Sequence, residues 1–186
     1  MNVMHERRFI GRIESLRSPE RVALLEVERV VLLSLEALAA GSVLDVGTGT
    51  GIFAEAFSRR DLDVVGVDSS ARMIAIARRY VPEGRFLVSE AERLPFAGGS
   101  FDLVFLGHVL HEADDPLGAL TEAGRIARVR VVVLEWPHRA DEHGPPLEHR
   151  LKPEAILAMA ERAHLPRRER IALAHMDLYR LEGGYP

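Results

Sequence analysis

Cysteine is absent from the 186-residue sequence, which excludes a disulfide framework, a thiolate metal site and a thiol nucleophile. A cytoplasmic location is the expectation that fits this composition. Long apolar runs are missing as well. No stretch approaches the ~18 residues that a bilayer-spanning helix needs, and the opening residues 1–8 carry no apolar stretch of signal-peptide type. Membrane association is therefore not expected. Lysine is scarce, Lys152 standing out among arginines. The net charge is −4 and no basic stripe with interleaved aromatics occurs, so nucleic acid is not expected as a partner.

What is there suits one α/β domain with a full core: 47% hydrophobic and 28% charged residues are ordinary globular values, and the length leaves little room for two domains. Between residues 20 and 40, Leu24, Val27, Val31 and Leu35 recur at helical spacing, with Glu26, Glu28, Arg29 and Glu36 elsewhere. This predicts one amphipathic helix, stopped by Gly41. Residues 42–46 form a short apolar run leading into glycines, the pattern of a buried parallel strand, and 52–60 read as the helix after it. The unit then repeats, with a strand at 63–68, Ser69 or Ser70 as N-cap and a helix at 71–80. Further strands are predicted at 85–88, 101–106 and 130–135, with a helix at 116–127 before the last. Regular β/α alternation implies a doubly wound, mostly parallel sheet with helices on both faces. Past Trp136, residues 137–146 read as a loop of functional length, 153–164 as a helix, and 167–173 with 175–181 as an antiparallel terminal hairpin.

The chemistry is concentrated in Val43-Leu44-Asp45-Val46-Gly47-Thr48-Gly49-Thr50-Gly51. Alternating glycines between a strand and a helix let backbone N–H groups approach a ligand, and the helix N-terminus favours its anionic part. A tight turn without a ligand would look the same, so context decides. A dinucleotide fingerprint would read G-x-G-x-x-G/A, but counting from Gly47 the sixth position is Ile52 and glycine falls at Gly51, which argues against NAD. Asp68 ends the second strand, where a carboxylate can accept both ribose hydroxyls of an adenosine cofactor. A third acidic point, Ser89-Glu90-Ala91-Glu92, follows the third strand, within reach of an adenine edge. Three acids beyond three successive strands are hard to assign to surface solvation alone.

With these residues in view, the segments VLDVGTGTG, VVGVDSSARMIAIARR and EAERLPFAGGSFDLVF resemble the successive motifs of class I S-adenosylmethionine-dependent methyltransferases, near the ubiquinone and menaquinone biosynthesis type (methyltransferase type 11). The resemblance spans about residues 42–136. It implies a Rossmann-like seven-stranded sheet with the last strand antiparallel, and S-adenosylmethionine as cofactor with S-adenosylhomocysteine as product. It also implies that Asp45, Gly47, Gly49 and Gly51 surround the methionine part, Asp68 the ribose, and Glu90 with Ala91 the adenine, with Ser69 and Met73 flanking the adenosine. Thr48, Glu92 and His108 complete the expected cofactor set. The usual Pro-Gly-Gly turn before the fifth strand is replaced by Ala127-Arg128-Val129-Arg130, which implies a shortened connection.

Arg8-Phe9 with Ser18-Pro19-Glu20-Arg21, and His143-Gly144-Pro145-Pro146-Leu147-Glu148-His149-Arg150, resemble a set of small bacterial and archaeal methyltransferases. That resemblance implies a lid in residues 1–41 and an acceptor-side unit in 137–186, on either side of a cofactor-binding core at 42–136. A helix hairpin packed on the sheet and a rigid Pro-Pro turn would account for the same residues. Methyl transfer from a sulfonium needs alignment more than acid–base chemistry. Where a base is needed, imidazole is matched to neutral pH, and His111, His108 and His138 are the candidates, in that order. Glu112 and Glu135 could hold a substrate amine or orient a histidine. His138, Asp141, Glu142, His143 and His149 have no closed-site spacing, so no metal is expected. Leu106-Gly107-His108-Val109 stands where an N/D-P-P-Y/F motif would mark amino methylation of bases or glutamine, so a small-molecule acceptor is expected, used by a monomer or homodimer. Two alternatives stay open: an NAD(P)- or nucleotide-binding Rossmann oxidoreductase, and a non-catalytic partner subunit that binds S-adenosylmethionine.

Overall fold

The apolar runs of the sequence become the middle of a seven-stranded sheet in the computed structural model, which describes residues 13–183. The pair Arg8-Phe9 lies outside the described residues. Strands β1 (Ser42–Val46), β2 (Asp63–Asp68), β3 (Arg85–Val88), β4 (Phe101–Gly107) and β5 (Ala127–Glu135) are parallel to one another. β7 (Asp177–Glu182) pairs antiparallel with β5 on one side and with β6 (Arg167–Ala172) on the other. The order is β3-β2-β1-β4-β5-β7-β6. Successive side chains leave opposite faces of a strand, and this period of two divides the interior. Val43, Val64, Leu103 and Phe105 enter one core, while Leu44, Val65, Val104 and Leu106 enter the other. Both faces of the central strands are covered, as their unbroken hydrophobicity requires.

The helices α3 (Ile52–Ser58), α4 (Ala71–Tyr80), α5 (Pro116–Ile126) and α6 (Pro153–Arg162) cover the sheet. Local chemistry marks their starts: the Ser70 hydroxyl accepts from the Met73 N–H, and the Asp115 carboxylate from Gly118, with Pro116 at the first helical position. Such caps satisfy N–H groups that a helix leaves unpaired. α5 ends at Ile126 and β5 begins at Ala127 with no residue between them, so the missing Pro-Gly-Gly turn corresponds to a missing loop.

The single helix expected over residues 20–40 is two: α1 (Pro19–Leu24) and α2 (Val27–Leu35), divided at Glu26, whose φ is +47°. The Glu26 carboxylate accepts from the Ala174 N–H at 2.8 Å, in the turn between β6 and β7, and from Arg29 at 2.7 Å. The kink turns Leu25, Val27, Val30 and Val31 into the core together. α2 stops at Leu35, before Gly41, because long-range arginines take its final carbonyls. Arg130 donates to the Ser34 and Glu36 carbonyls, and Arg180 to the Leu33 carbonyl.

The strand order reverses between β1 and β4. In open α/β sheets such a switch point leaves a crevice beyond the carboxyl ends of the strands, and the glycine loop after β1 opens into it.

Candidate active site

The ends of β1, β2, β3 and β4 open into a cavity of about 660 Å³, a volume suited to a cofactor-sized ligand. Of the expected cofactor residues, Gly47, Thr48, Gly49, Asp68, Ser69, Met73, Glu90, Ala91, Glu92 and His108 line it. Asp45 and Gly51 do not; they stand behind the loop and shape it. Asp45 is 2% exposed and accepts from the Thr48 hydroxyl at 2.7 Å. Burial, with Asp68 nearby, pushes its carboxyl up to about 7 against the hydrogen bonds from Thr48 and Ala54. Gly51 is the N-cap of α3 at φ +80°, and a Cβ there would stand 3.2 Å from the Ala77 Cβ.

A Cβ on Gly49, at φ +54°, would meet nothing nearer than the Gly47 carbonyl oxygen at 4.0 Å, so its missing side chain leaves room in the cavity. The Asp68 carboxylate accepts from the Gly49 N–H and the Ser70 N–H, both at 2.8 Å, tying the glycine loop to the start of α4. The two N–H groups orient this carboxylate at the cavity wall. Glu92 accepts from the Asp115 N–H, which fixes the loop after β3 against the start of α5.

At the β4 and β5 end, the structure separates the three candidate histidines. His108 lines the cavity in a left-handed conformation at φ +61°, its backbone N–H donating to the Leu134 carbonyl. Both of its ring nitrogens are buried without a hydrogen-bond partner among the described residues. Burial, then the neighbouring charges of His111 and Arg21, hold its pKa well below the ordinary 6.5, so the ring is neutral. His111 is 4% exposed and is not on the cavity wall. Its Nδ1 is 2.7 Å from a Glu135 carboxylate oxygen, and the other oxygen accepts its backbone N–H at 3.3 Å. Burial opposes its charged form, yet the Glu135 carboxylate, together with Glu112 at 3.7 Å from Nε2, outweighs burial and raises the pKa above 6.5. His138 is half-buried in the loop after β5, away from the cavity lining. Two imidazoles 6.3 Å apart are thus pushed in opposite directions by their surroundings.

The ring of His108 rests against Trp136, with centroids 5.0 Å apart. Trp136 is 4% exposed and is braced from behind by the 143–150 segment, where a Cβ on Gly144, at φ +85°, would stand 2.5 Å from the indole. That segment does not line the cavity. Its closure depends on Arg150, which is 5% exposed and donates to the carbonyls of Pro137, Arg139, His143 and Pro145. Arg150→Met should lower the unfolding free energy by about 3 kcal/mol by orphaning these acceptors, measured by urea denaturation, and should expose residues 137–149 to proteolysis.

The N-terminal segment reaches the site directly. Leu16, Arg21 and Leu25 line the cavity, while Arg17 donates to the Thr50 carbonyl, pairs with Glu55 and stacks 3.8 Å over the Tyr80 ring. Arg21 and Trp136 were not among the expected site residues. Trp136 had a signal: it is the single tryptophan and directly follows a predicted strand. Arg21 had one only through Ser18-Pro19-Glu20-Arg21, whose resemblance implied a lid and gave this side chain no role of its own.

Residues 44–133 match the family model described as "Methyltransferase domain". The chain is similar to the demethylmenaquinone methyltransferase of Thermus thermophilus, at 40% identity over 117 residues, covering 59% of this chain and 53% of that protein. It is also similar to that of Renibacterium salmoninarum, at 36% over 112 residues, 59% of this chain and 47% of that protein. The matched region thus spans about half the length of these curated relatives. Among solved structures, a SAM-dependent methyltransferase from Aquifex aeolicus superposes with a TM-score of 0.81 at 25% identity, covering 91% of this chain and 96% of that one.

Proposed function

We propose that this chain, whose residues 44–133 match the methyltransferase domain, is a class I methyltransferase of the ubiquinone and menaquinone type that methylates a small-molecule acceptor at the expense of S-adenosylmethionine. The observation that carries the choice of cofactor is the sign of the cavity wall. Asp68, Glu90, Glu92, Glu112 and Asp114 line it against two arginines, Arg21 and Arg72, an acidic balance that attracts a sulfonium and an ammonium group and disfavours the pyrophosphate of a dinucleotide. The room left at Gly49 and the bridging Asp68 fit the same ligand. When bound, S-adenosylmethionine supplies an electrophilic methyl group whose transfer leaves the electron pair on sulfur.

The chain's own residues then divide the work. Asp45 holds the glycine loop in shape from behind, Asp68 and Glu90 take the ribose and adenine, and Ser69 and Met73 flank the adenosine. The 3-10 turn at Ile13–Arg17 and α1 act as the lid, closing the cavity through Leu16 and Leu25. The acceptor enters beside His108, which meets it as a neutral imidazole, while His111, tied to Glu135, positions the β4 loop instead of meeting substrate. The names of the relatives suggest a quinone-related acceptor ring, for which Phe53, Val109 and Leu25 provide apolar walls. No described helix is long and apolar enough to cross a membrane.

A thermal-shift series tests the reading. S-adenosylmethionine and S-adenosylhomocysteine should each raise Tm by several degrees at about a hundredfold excess over Kd, and NAD should not. Protection by NAD alone would replace the methyltransferase reading with an oxidoreductase one.

A further inference from the structure

We infer that Arg21 is the acceptor-recognition residue of this site, and that the acceptor carries an anionic oxygen, held between the Arg21 guanidinium and the His108 imidazole. The inference rests on the methyltransferase reading above and names its substrate class.

The Arg21 guanidinium carbon is 5.3 Å from the centre of the Trp136 ring, and the His108 ring is 5.0 Å from the same indole. One buried tryptophan therefore brings both side chains to the β4 and β5 end of the cavity, and both line it. This is the end opposite Asp68 and Glu90.

Arg21 also differs from the buried and half-buried arginines around it. Arg17 pairs with Glu55, Arg130 with Glu182 and Arg180 with Glu169, and Arg150 is saturated by carbonyls. Among the described residues, the Arg21 guanidinium has a ring contact and no hydrogen bond or ion pair. A desolvated cation without an anion is costly, and burial does pull its pKa down, opposed by the charge of Glu112. Planar guanidinium geometry suits an oxyanion or carboxylate. Beside it stand the two unpartnered nitrogens of His108, and a neutral imidazole adds one donor without repelling the arginine.

The chemistry balances without a strong base. An enolate, phenolate or carboxylate binds already ionised, stabilised by Arg21. As the new bond to the methyl carbon forms, the carbon–sulfur bond breaks and its pair stays on sulfur. Anionic acceptor and cationic sulfonium become two neutral products, and the loss of the negative charge releases the product from Arg21.

The test is calorimetric titration of protein saturated with S-adenosylhomocysteine, at about pH 8, with hydroxynaphthoquinone, an enolate there, and with its neutral methyl ether. The wild type should bind the enolate at least about tenfold more tightly than the ether. Arg21→Met should lose that preference while holding S-adenosylhomocysteine within about threefold of wild type, and Arg21→Lys should keep part of it. Equal binding of the two probes by wild type, or an enolate preference that survives in Arg21→Met, overturns the inference while leaving the methyltransferase reading intact. Failure of wild type to bind S-adenosylhomocysteine removes both. Should Arg21→Met not fold, the wild-type preference and Arg21→Lys still decide.

Discussion

Glu135→Leu should destabilise the protein by about 4 kcal/mol, the cost of stripping one partner from a buried charged pair. Glu135 is 1% exposed and its two oxygens meet the His111 ring and the His111 backbone N–H. Removing the carboxylate leaves both groups dry and unsatisfied. Glu135→Gln keeps the shape and should cost less than half as much. Because His111 titrates above 6.5 in the folded chain, the folded state holds more protons than the unfolded one in the range just above that value. The pair's contribution is thus complete below about pH 6.5 and declines as pH rises through the higher folded pKa. Urea denaturation at pH 6 and pH 8.5 should show a smaller gap between wild type and Glu135→Leu at the higher pH. A gap that widens with pH would contradict a histidine whose charged form is held by Glu135.

Asp45→Asn should become progressively more stable relative to wild type as pH rises, by about 3 kcal/mol between pH 5 and pH 8. The buried carboxyl titrates near 7, raised from 3.8. Between these values the folded chain binds a proton that the unfolded chain has released, so wild-type stability falls with pH across this window and levels off above about 7. Asparagine cannot ionise, and its amide oxygen can still accept from the Thr48 hydroxyl. Stability curves of the two proteins that stay parallel across this range would show that Asp45 is ionised at all these pH values.

The central strands were legible because a strand buried on both faces must be apolar at every position, as at Val43-Leu44 and Leu103-Val104-Phe105-Leu106, and because the glycines after Val46 mark where the chain turns into the ligand crevice. The terminal hairpin was legible from alternation, and the seven-stranded, mostly parallel sheet with its antiparallel last strand matches the resemblance. The break at Glu26 was not, since no glycine or proline stands there; what holds it is a hydrogen bond to Ala174, 148 residues away. The early start of β5 at Ala127 was hidden by Arg128, a polar residue in a stretch that read as a turn, so the strand was expected only from Arg130. Arg130 is buried, since Glu182 and the carbonyls of Ser34 and Glu36 satisfy it. The roles of the histidines depend on which ring faces the cavity, and at His108 a positive φ, invisible to periodicity, decides that.

On the proposed reading, the cavity beyond β1, β2 and β3 binds an adenosyl sulfonium through Asp68. The most direct test is calorimetric titration of S-adenosylmethionine and S-adenosylhomocysteine into wild type and Asp68→Ala. Micromolar binding by the wild type that weakens at least about a hundredfold in the variant, with the variant folded by circular dichroism, is the expected result. Wild type that binds neither ligand, or a folded Asp68→Ala that binds both as wild type does, would contradict it.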